Sequence, residues 1–279
     1  MTSTVPVAWA SWTDRSPSTR PITELFARVL PAENEIAKRA PYSAHNIFGH
    51  CRALFNWAIA RGLYGLETSP CDRLKPADLI GRKEARSRVL DDKELRALWK
   101  ATDALGYPYG DLFRLLALTG QRKSEVAEAG WREVDLDAKR WTIPAERMKA
   151  DSPHVVPLSD AAVEVLKGLP RFRKGDHLFS TTFGDKPVNG FSKAKSRLDN
   201  LMTTELGEEP PEFVLHDIRR TVRTRMSAFV SSDVAELVIA HARPGLRRVY
   251  DLHSFEQEKR DALDKWAARL RSIVEPLLG

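Results

Sequence analysis

Cysteine is almost absent from this chain: Cys51 and Cys71 are the two in 279 residues. Neither stands at metal-ligand spacing from another Cys or His, and two cysteines make no disulfide framework, so a disulfide- or zinc-stapled scaffold is excluded and both are expected to be reduced and structural. No run of 18 apolar residues occurs, which excludes an obvious membrane-spanning helix. The first residues lack the basic-then-apolar pattern of a secretory signal, and the expectation is a cytoplasmic protein. Also missing are GxxxxGK[ST], GxGxxG after a strand, HExxH, CxxC and GxSxG. Each is a device for one chemistry, so nucleotide, dinucleotide, zinc and serine-hydrolase readings are disfavoured, and no cofactor or metal is expected. Internal repeats are absent, and the only biased stretch is residues 1–21, rich in Ser, Thr and Pro and without period, which reads as a loosely attached arm.

What is present begins with charge. The formal net charge is +6, compatible with nucleic acid and no proof of it. Residues 1–90 carry 13 Lys and Arg against 8 Asp and Glu, and residues 91–279 carry 31 against 30. Within the nearly neutral remainder, residues 213–225, FVLHDIRRTVRTR, crowd four arginines and a histidine together. Wound as a helix, Leu215, Ile218, Val222, Met226 and Phe229 form an apolar stripe. His216, Arg219, Arg220 and Arg223 line up beside it. Arg219 falls near the stripe's edge and is expected to be partly buried, where a guanidinium is costly unless an anion meets it. Asp217 points away from Arg219 on the wheel, so the anion comes from another segment or from a ligand, phosphate being the natural fit for a planar five-donor fork.

The patterning predicts a mainly helical protein with one small antiparallel sheet. Residues 22–41 read as a short helix or two, and 43–61 as a helix ended by Gly62, with Ile47, Cys51, Leu54, Phe55, Ala58 and Ile59 on its apolar face. Residues 63–90 form a connector broken by Pro70 and Pro76. Asp91 with Glu94 resembles a capping box opening a helix to about Ala104. Further helices are predicted over 110–119, stopped by Gly120, and over 123–129. Alternation then marks strands in VDLDAKRWTIPAERM and HVVPL, with turns at 137–139 and 148–153. Helices resume at 160–168, 191–206, 215–230, 233–240 and 256–274, the last with Leu263, Trp266, Leu270 and Ile273 on one side. The expected division is an arm over 1–21, a partial helical domain over 22–85 and a larger domain over 86–279.

Partners for the arginines stand elsewhere. Arg122 lies in TGQRKSE at a helix start, where free N–H groups and the dipole suit a phosphate. Lys149 lies in MKADSPHVVPL, expected in the tight turn between two strands. His216 and Arg219 form H-x-x-R, His241 follows Ala240, and Tyr250 comes nine residues later, behind the basic GLRR. Taken in order, R…K…HxxR…H…Y resembles the tyrosine recombinases, the family of phage and prophage integrases. The resemblance is strongest over 90–255 and looser over 42–89, which looks like the second half of a helical core-binding domain.

The resemblance implies a two-domain architecture, a helical core-binding domain followed by a mainly helical catalytic domain with a small sheet. Tyr250 is then the nucleophile on a DNA phosphodiester, His216 the general base, Arg122 and Arg219 the clamps on the non-bridging oxygens, Lys149 the proton donor to the leaving 5′-oxygen and His241 a hydrogen-bond donor to the phosphate. Glu125 would orient the basic cluster. Arg220 and Arg223 are expected as neighbouring DNA-backbone contacts or surface charges. The implied partners are double-stranded DNA, further copies of the chain in a homotetramer on DNA from a monomer in solution, and a DNA-bending accessory protein. Two departures are visible. Ala240 stands where the family often has Gly, and the core-binding segment is short of a full first half. A truncated or degenerate DNA-binding remnant and a type IB topoisomerase-like strand transferase therefore stand as alternatives.

Overall fold

The computed structural model describes residues 38–82, 86–148, 152–241 and 255–275. The expected arm and nearly all of 22–41 lie outside the described residues. The chain separates between Arg86 and Ser87 into two compact units.

In the first unit, helix α1 (Pro41–Ala60) starts on a proline whose missing N–H costs nothing there. It ends at Arg61, and Gly62 follows with φ of +61°. Phe48, Phe55 and Ala58 face a small core shared with Leu66 and Cys71, and Ala44 is buried as well. Leu54, expected on this face, is exposed: it falls at the edge of the stripe set by Phe48 and Phe55. Arg52 stacks over Phe48 and donates to the Leu74 carbonyl at 2.9 Å, closing the loop that leads to helix α2 (Pro76–Ile80).

The second unit opens with α3 (Asp92–Leu105). Its capping box forms as the sequence predicts: Asp91 accepts from the Glu94 N–H, and Glu94 accepts from the Asp91 N–H, both at 2.8 Å. Helix α4 (Tyr109–Thr119) is almost wholly buried, and Gly120 ends it. A short α5 (Lys123–Ala127) leads to the sheet, β1 (Val134–Asp135), β2 (Arg140–Ile143) and β3 (His154–Pro157), antiparallel in that order. Trp141 pairs with Val134 on one side and Val156 on the other, and is buried. Then come α6 (Asp160–Lys167), α7 (Phe191–Leu206), α8 (Leu215–Met226), α9 (Ser232–Val238) and α10 (Glu256–Val274). Leu263, Trp266, Leu270 and Ile273 of α10 are buried in the unit's core, and Trp266 Nε1 donates to the Ala117 carbonyl of α4 at 2.7 Å.

The sheet is smaller than its alternation suggests. Pro144 follows β2, has no N–H for a ladder, and leads into a 3₁₀ turn at Ala145–Arg147. Strand β2 therefore ends at Ile143 and does not run on to Met148, and Lys149 of the expected turn at 148–153 lies outside the described residues. Helix α8 also stops at Met226, four residues earlier than its stripe predicts.

Candidate active site

The site is built on the turn after α4. Gly120 has φ of +65°, and a Cβ there would lie 3.0 Å from Val222 Cγ1 and 3.4 Å from Ile239 Cγ2. Glycine is required both for the left-handed backbone and for the close approach of this turn to α8 and the end of α9. Gln121 is fully buried, and its Nε2 donates to the Thr119 and Val238 carbonyls, each at 2.9 Å. Arg122 caps α5. Glu125 accepts from the Arg122 backbone N–H at 2.7 Å and from its Nη1 at 2.6 Å. Only this arm of a capping box exists, because an arginine side chain has no acceptor to return. Glu125 is buried and Arg122 partly open.

Arg219 is only 3% exposed, deeper than the helical wheel suggests. Its acceptors among the described residues are backbone carbonyls and not carboxylates. Nη1 donates to the Gly120 carbonyl at 2.9 Å and Nη2 to the Ile239 carbonyl. Burial first, then the neighbouring Arg122 charge, lowers its pKa from the ordinary arginine range to about 10, with Glu125 and Glu236 acting the other way. It therefore stays a cation at neutral pH.

Its neighbours on α8 are held differently. Asp217, wholly buried, accepts from the Val214 N–H at 2.9 Å and pairs with Arg220. Arg223 donates to Glu236 at 2.8 Å and to Ser232 at 3.1 Å. Arg225 reaches the Leu90 carbonyl and Asp92. Arg220 and Arg223, expected as DNA contacts or surface charges, are thus engaged in ion pairs within the chain.

His216 remains open to solvent. The hydration it has lost, followed by the charges of Arg219 and Arg220, lowers its pKa from 6.5, and Arg122 adds to this. His241, half exposed, stands just past α9. Its Nδ1 lies 2.5 Å from Glu236 Oε2, and its backbone N–H donates to the Glu236 carbonyl at 3.0 Å. Burial pushes the Glu236 carboxyl up, but hydrogen bonds and charge from Arg223 and His241 together leave it below the usual range. With Nδ1 turned to Glu236, Nε2 has no hydrogen-bond partner among the described residues.

Four of the six sequence-predicted residues are thus brought into one electrostatic neighbourhood: Arg122, His216, Arg219 and, through Glu236, His241. Lys149 and Tyr250 lie outside the described residues. The connection before Lys149 is anchored, since Arg147 donates to Glu133 at 2.5 Å and to the Glu125 carbonyl, and Met148 is buried. Two fixed guanidinium groups beside a neutral imidazole can hold a tetrahedral oxyanion and accept a proton near it. Among the described residues no group of three or more His, Cys, Asp and Glu has metal-binding geometry.

Sequence reasoning missed three supports of this site. Gln121 sits unremarked beside Arg122. Glu236 is thirteen residues from Arg223 and gives no local signal. His154 opens β3 and is buried, with Nε2 at 3.2 Å from the Val238 carbonyl. Its alternation with the buried Val156 is the signal that places it inside.

The model of the phage integrase family matches residues 88–257. The chain is 29% identical over 260 residues to the prophage integrase IntZ of Escherichia coli K12, covering 91% of this chain and 62% of IntZ, so it spans about three fifths of that relative's length. Among solved structures it is similar to the Tn1549 transposon integrase in complex with circular intermediate DNA, at a TM-score of 0.57 and 15% identity, over 90% of this chain and 95% of that one. It is also similar to a lambda integrase tetramer bound to a Holliday junction, at a TM-score of 0.56 and 17% identity, over 77% of this chain and 63% of that one. At such identities these likenesses speak to the fold.

Proposed function

Because the chain belongs to the phage integrase family, we propose that it is a site-specific DNA recombinase that cuts and rejoins double-stranded DNA through a 3′-phosphotyrosyl intermediate. One observation carries this reading most directly. Arg219 is buried beside Arg122 and anchored by two backbone carbonyls, so its charge and its remaining N–H groups are left for a ligand anion. In the proposed step, Tyr250 Oη attacks the scissile phosphorus and its proton passes to His216. The low pKa of His216 keeps it neutral and able to accept at pH 7. Arg122 and Arg219 hold the non-bridging oxygens as the pentacoordinate state forms, and His241 donates to one of them. The phosphorus–O5′ bond breaks, Lys149 gives its proton to the 5′-oxygen, and the energy of the bond is kept in the tyrosyl ester. Rejoining reverses these steps on a new 5′-hydroxyl.

The same reading makes duplex DNA at paired recombination sites the substrate. It makes a homotetramer of this chain the active assembly, formed from a monomer in solution with the help of a DNA-bending protein. The lambda integrase tetramer bound to a Holliday junction supports that assembly by analogy. No helix among the described residues is long and apolar enough to cross a membrane, and the cytoplasm, where the chromosome lies, is the proposed location.

The test is covalent trapping. Duplex DNA flanking the native gene is nicked beside the expected cleavage position and mixed with wild type or Tyr250→Phe. An SDS-resistant adduct in wild type alone is the expected result. Binding of the same DNA without an adduct overturns the reading in favour of a DNA-binding remnant. Relaxation of supercoiled DNA lacking any such site would assign the chain to a topoisomerase-like strand transferase.

A further inference from the structure

The last carbonyls of a helix have no partners inside it and must find them elsewhere. At the end of α9 each does so. The Glu236 carbonyl accepts from the His241 N–H and the Leu237 carbonyl from the Ala240 N–H, at 3.0 and 3.2 Å. Ile239 accepts from Arg219. The Val238 carbonyl takes two side-chain donors, Gln121 Nε2 at 2.9 Å and His154 Nε2 at 3.2 Å. Gln121 is the neighbour of Arg122, and His154 is the first residue after the connection that carries Lys149. One carbonyl, three residues before His241, is thus held from both of the other arms of the site.

His154 is an unusual choice for such a place. It is buried at the head of a strand whose other inward positions are apolar, and the charges around it come from Lys259 on α10, Glu125 on α5 and Arg219 on α8. An apolar side chain would fill the volume without the cost of a buried polar ring. Val238 O can only accept, so the ring carries its proton on Nε2, and burial with the nearby Lys259 keeps it neutral.

We propose that His154 is a positioning residue for the reaction: its Nε2–H, together with the Gln121 amide, clamps the Val238 carbonyl and so holds the turn that presents His241. The proposal rests on the strand-transfer reading for its effect on rate, and on the fold alone for its effect on the turn.

Two measurements on the full chain separate these. In covalent trapping, His154→Phe should slow adduct formation ~10-fold, the worth of one lost hydrogen bond, with DNA affinity unchanged. His154→Gln, whose amide nitrogen can stand where Nε2 does, should restore most of the rate. In a His241→Ala background the His154→Phe change should cost less than ~2-fold, because a residue acting through His241 has nothing left to position. Equal losses in both backgrounds overturn the proposal. In the free protein, amide hydrogen exchange at Ala240 and His241 should accelerate in His154→Phe relative to the most protected amides of α4, and not in His154→Gln. Unchanged protection there also overturns it. If wild type binds DNA and makes no adduct, the strand-transfer reading fails while the exchange measurement still decides the clamp. Should His154→Phe not fold, Gln121→Met removes the other donor to the same carbonyl and is read by the same two measurements.

Discussion

Arg219 and Arg223 stand four residues apart on one helix and are held in opposite ways. Arg223 faces a carboxylate, Glu236, which satisfies its N–H groups and cancels its charge. Arg219 faces two carbonyls, which take two of its five N–H groups, fix the side chain and leave the charge in place. Hydrogen-bond anchoring and charge neutralisation are separable, and a buried cation meant for a ligand needs the first without the second. Arg122 lies between the two cases: Glu125 takes its Nη1 and backbone N–H, and the rest of its fork stays open. The inner wall of the site is thus charged and fixed by its surroundings, whereas the outer wall, with Arg220, Arg223 and Glu236, is paired.

The sharpest way to break this comparison is to replace each arginine by lysine. Arg219→Lys keeps the charge but cannot reach two carbonyls and present a planar face as well. It should slow covalent adduct formation by about 10³-fold, at the upper end for loss of an oxyanion donor. Arg223→Lys keeps its single ion pair and should cost less than about 3-fold, as expected of a partly exposed pair. Single-turnover trapping of both variants decides it, and comparable losses would end the distinction between inner and outer wall.

The next effect is on stability. His154 belongs to the inner wall, and burial with Lys259 lowers its pKa from 6.5 to about 4. Between those values the unfolded chain binds a proton that the folded chain refuses, so stability is lost as pH falls from 6.5 towards 4. The loss amounts to roughly 3 kcal/mol for this group, at about 1.4 kcal/mol for each tenfold change in proton affinity. Urea titrations across that window should show a shallower pH slope for His154→Gln than for wild type, and equal slopes would contradict the buried, neutral ring.

Glu125→Gln sharpens the case of Arg122. It leaves the capping acceptor and removes the charge, and should lower the rate of adduct formation about 10-fold or somewhat more, the range for one charge-assisted hydrogen bond. On the solvent side, the proposed role of His216 as general base makes it the group that should set the acid limb of the pH–rate profile. Its lowered pKa puts the midpoint of that limb below 6.5, and activity falls as pH drops through it. Arg220→Gln removes one of the depressing charges and should move the limb upward in pH. A limb that stays put would separate His216 from the proton transfer.

Much of this is legible in the sequence, and the boundary of legibility has a physical cause. The capping box at Asp91, the stop at Gly120 and the stripes of α8 and α10 are local signals, and the helices form where those signals stand. The ordered motif with Arg122, His216, Arg219 and His241 is equally readable. What the wheel cannot give is the depth of Arg219 or its acceptors, because Gly120 and Ile239 lie 99 and 20 residues away. The pairing of Arg220 with Asp217 at i,i+3 is a local signal too, and one that an assignment of Arg220 to DNA or solvent overlooks. The strand reads as running on to Met148 because alternation continues past Pro144, where the missing N–H ends the ladder.

The smallest predicted effect concerns the turn between the two walls. Ala240 has φ of +50°, a left-handed conformation that costs an L-residue about 1–2 kcal/mol and glycine almost nothing. Ala240→Gly relieves that strain and loosens the unfolded chain by about 0.4–1 kcal/mol, so the two changes oppose each other. The net should be a gain of about 0.5 kcal/mol, seen as a rise of a degree or two in Tm for a unit of this size. Since His154, Gln121 and Arg219 already hold the Val238 and Ile239 carbonyls just before this residue, the rate of adduct formation should not change. A large loss of rate in Ala240→Gly would mean that the methyl group, and not the three clamps, holds His241 in place.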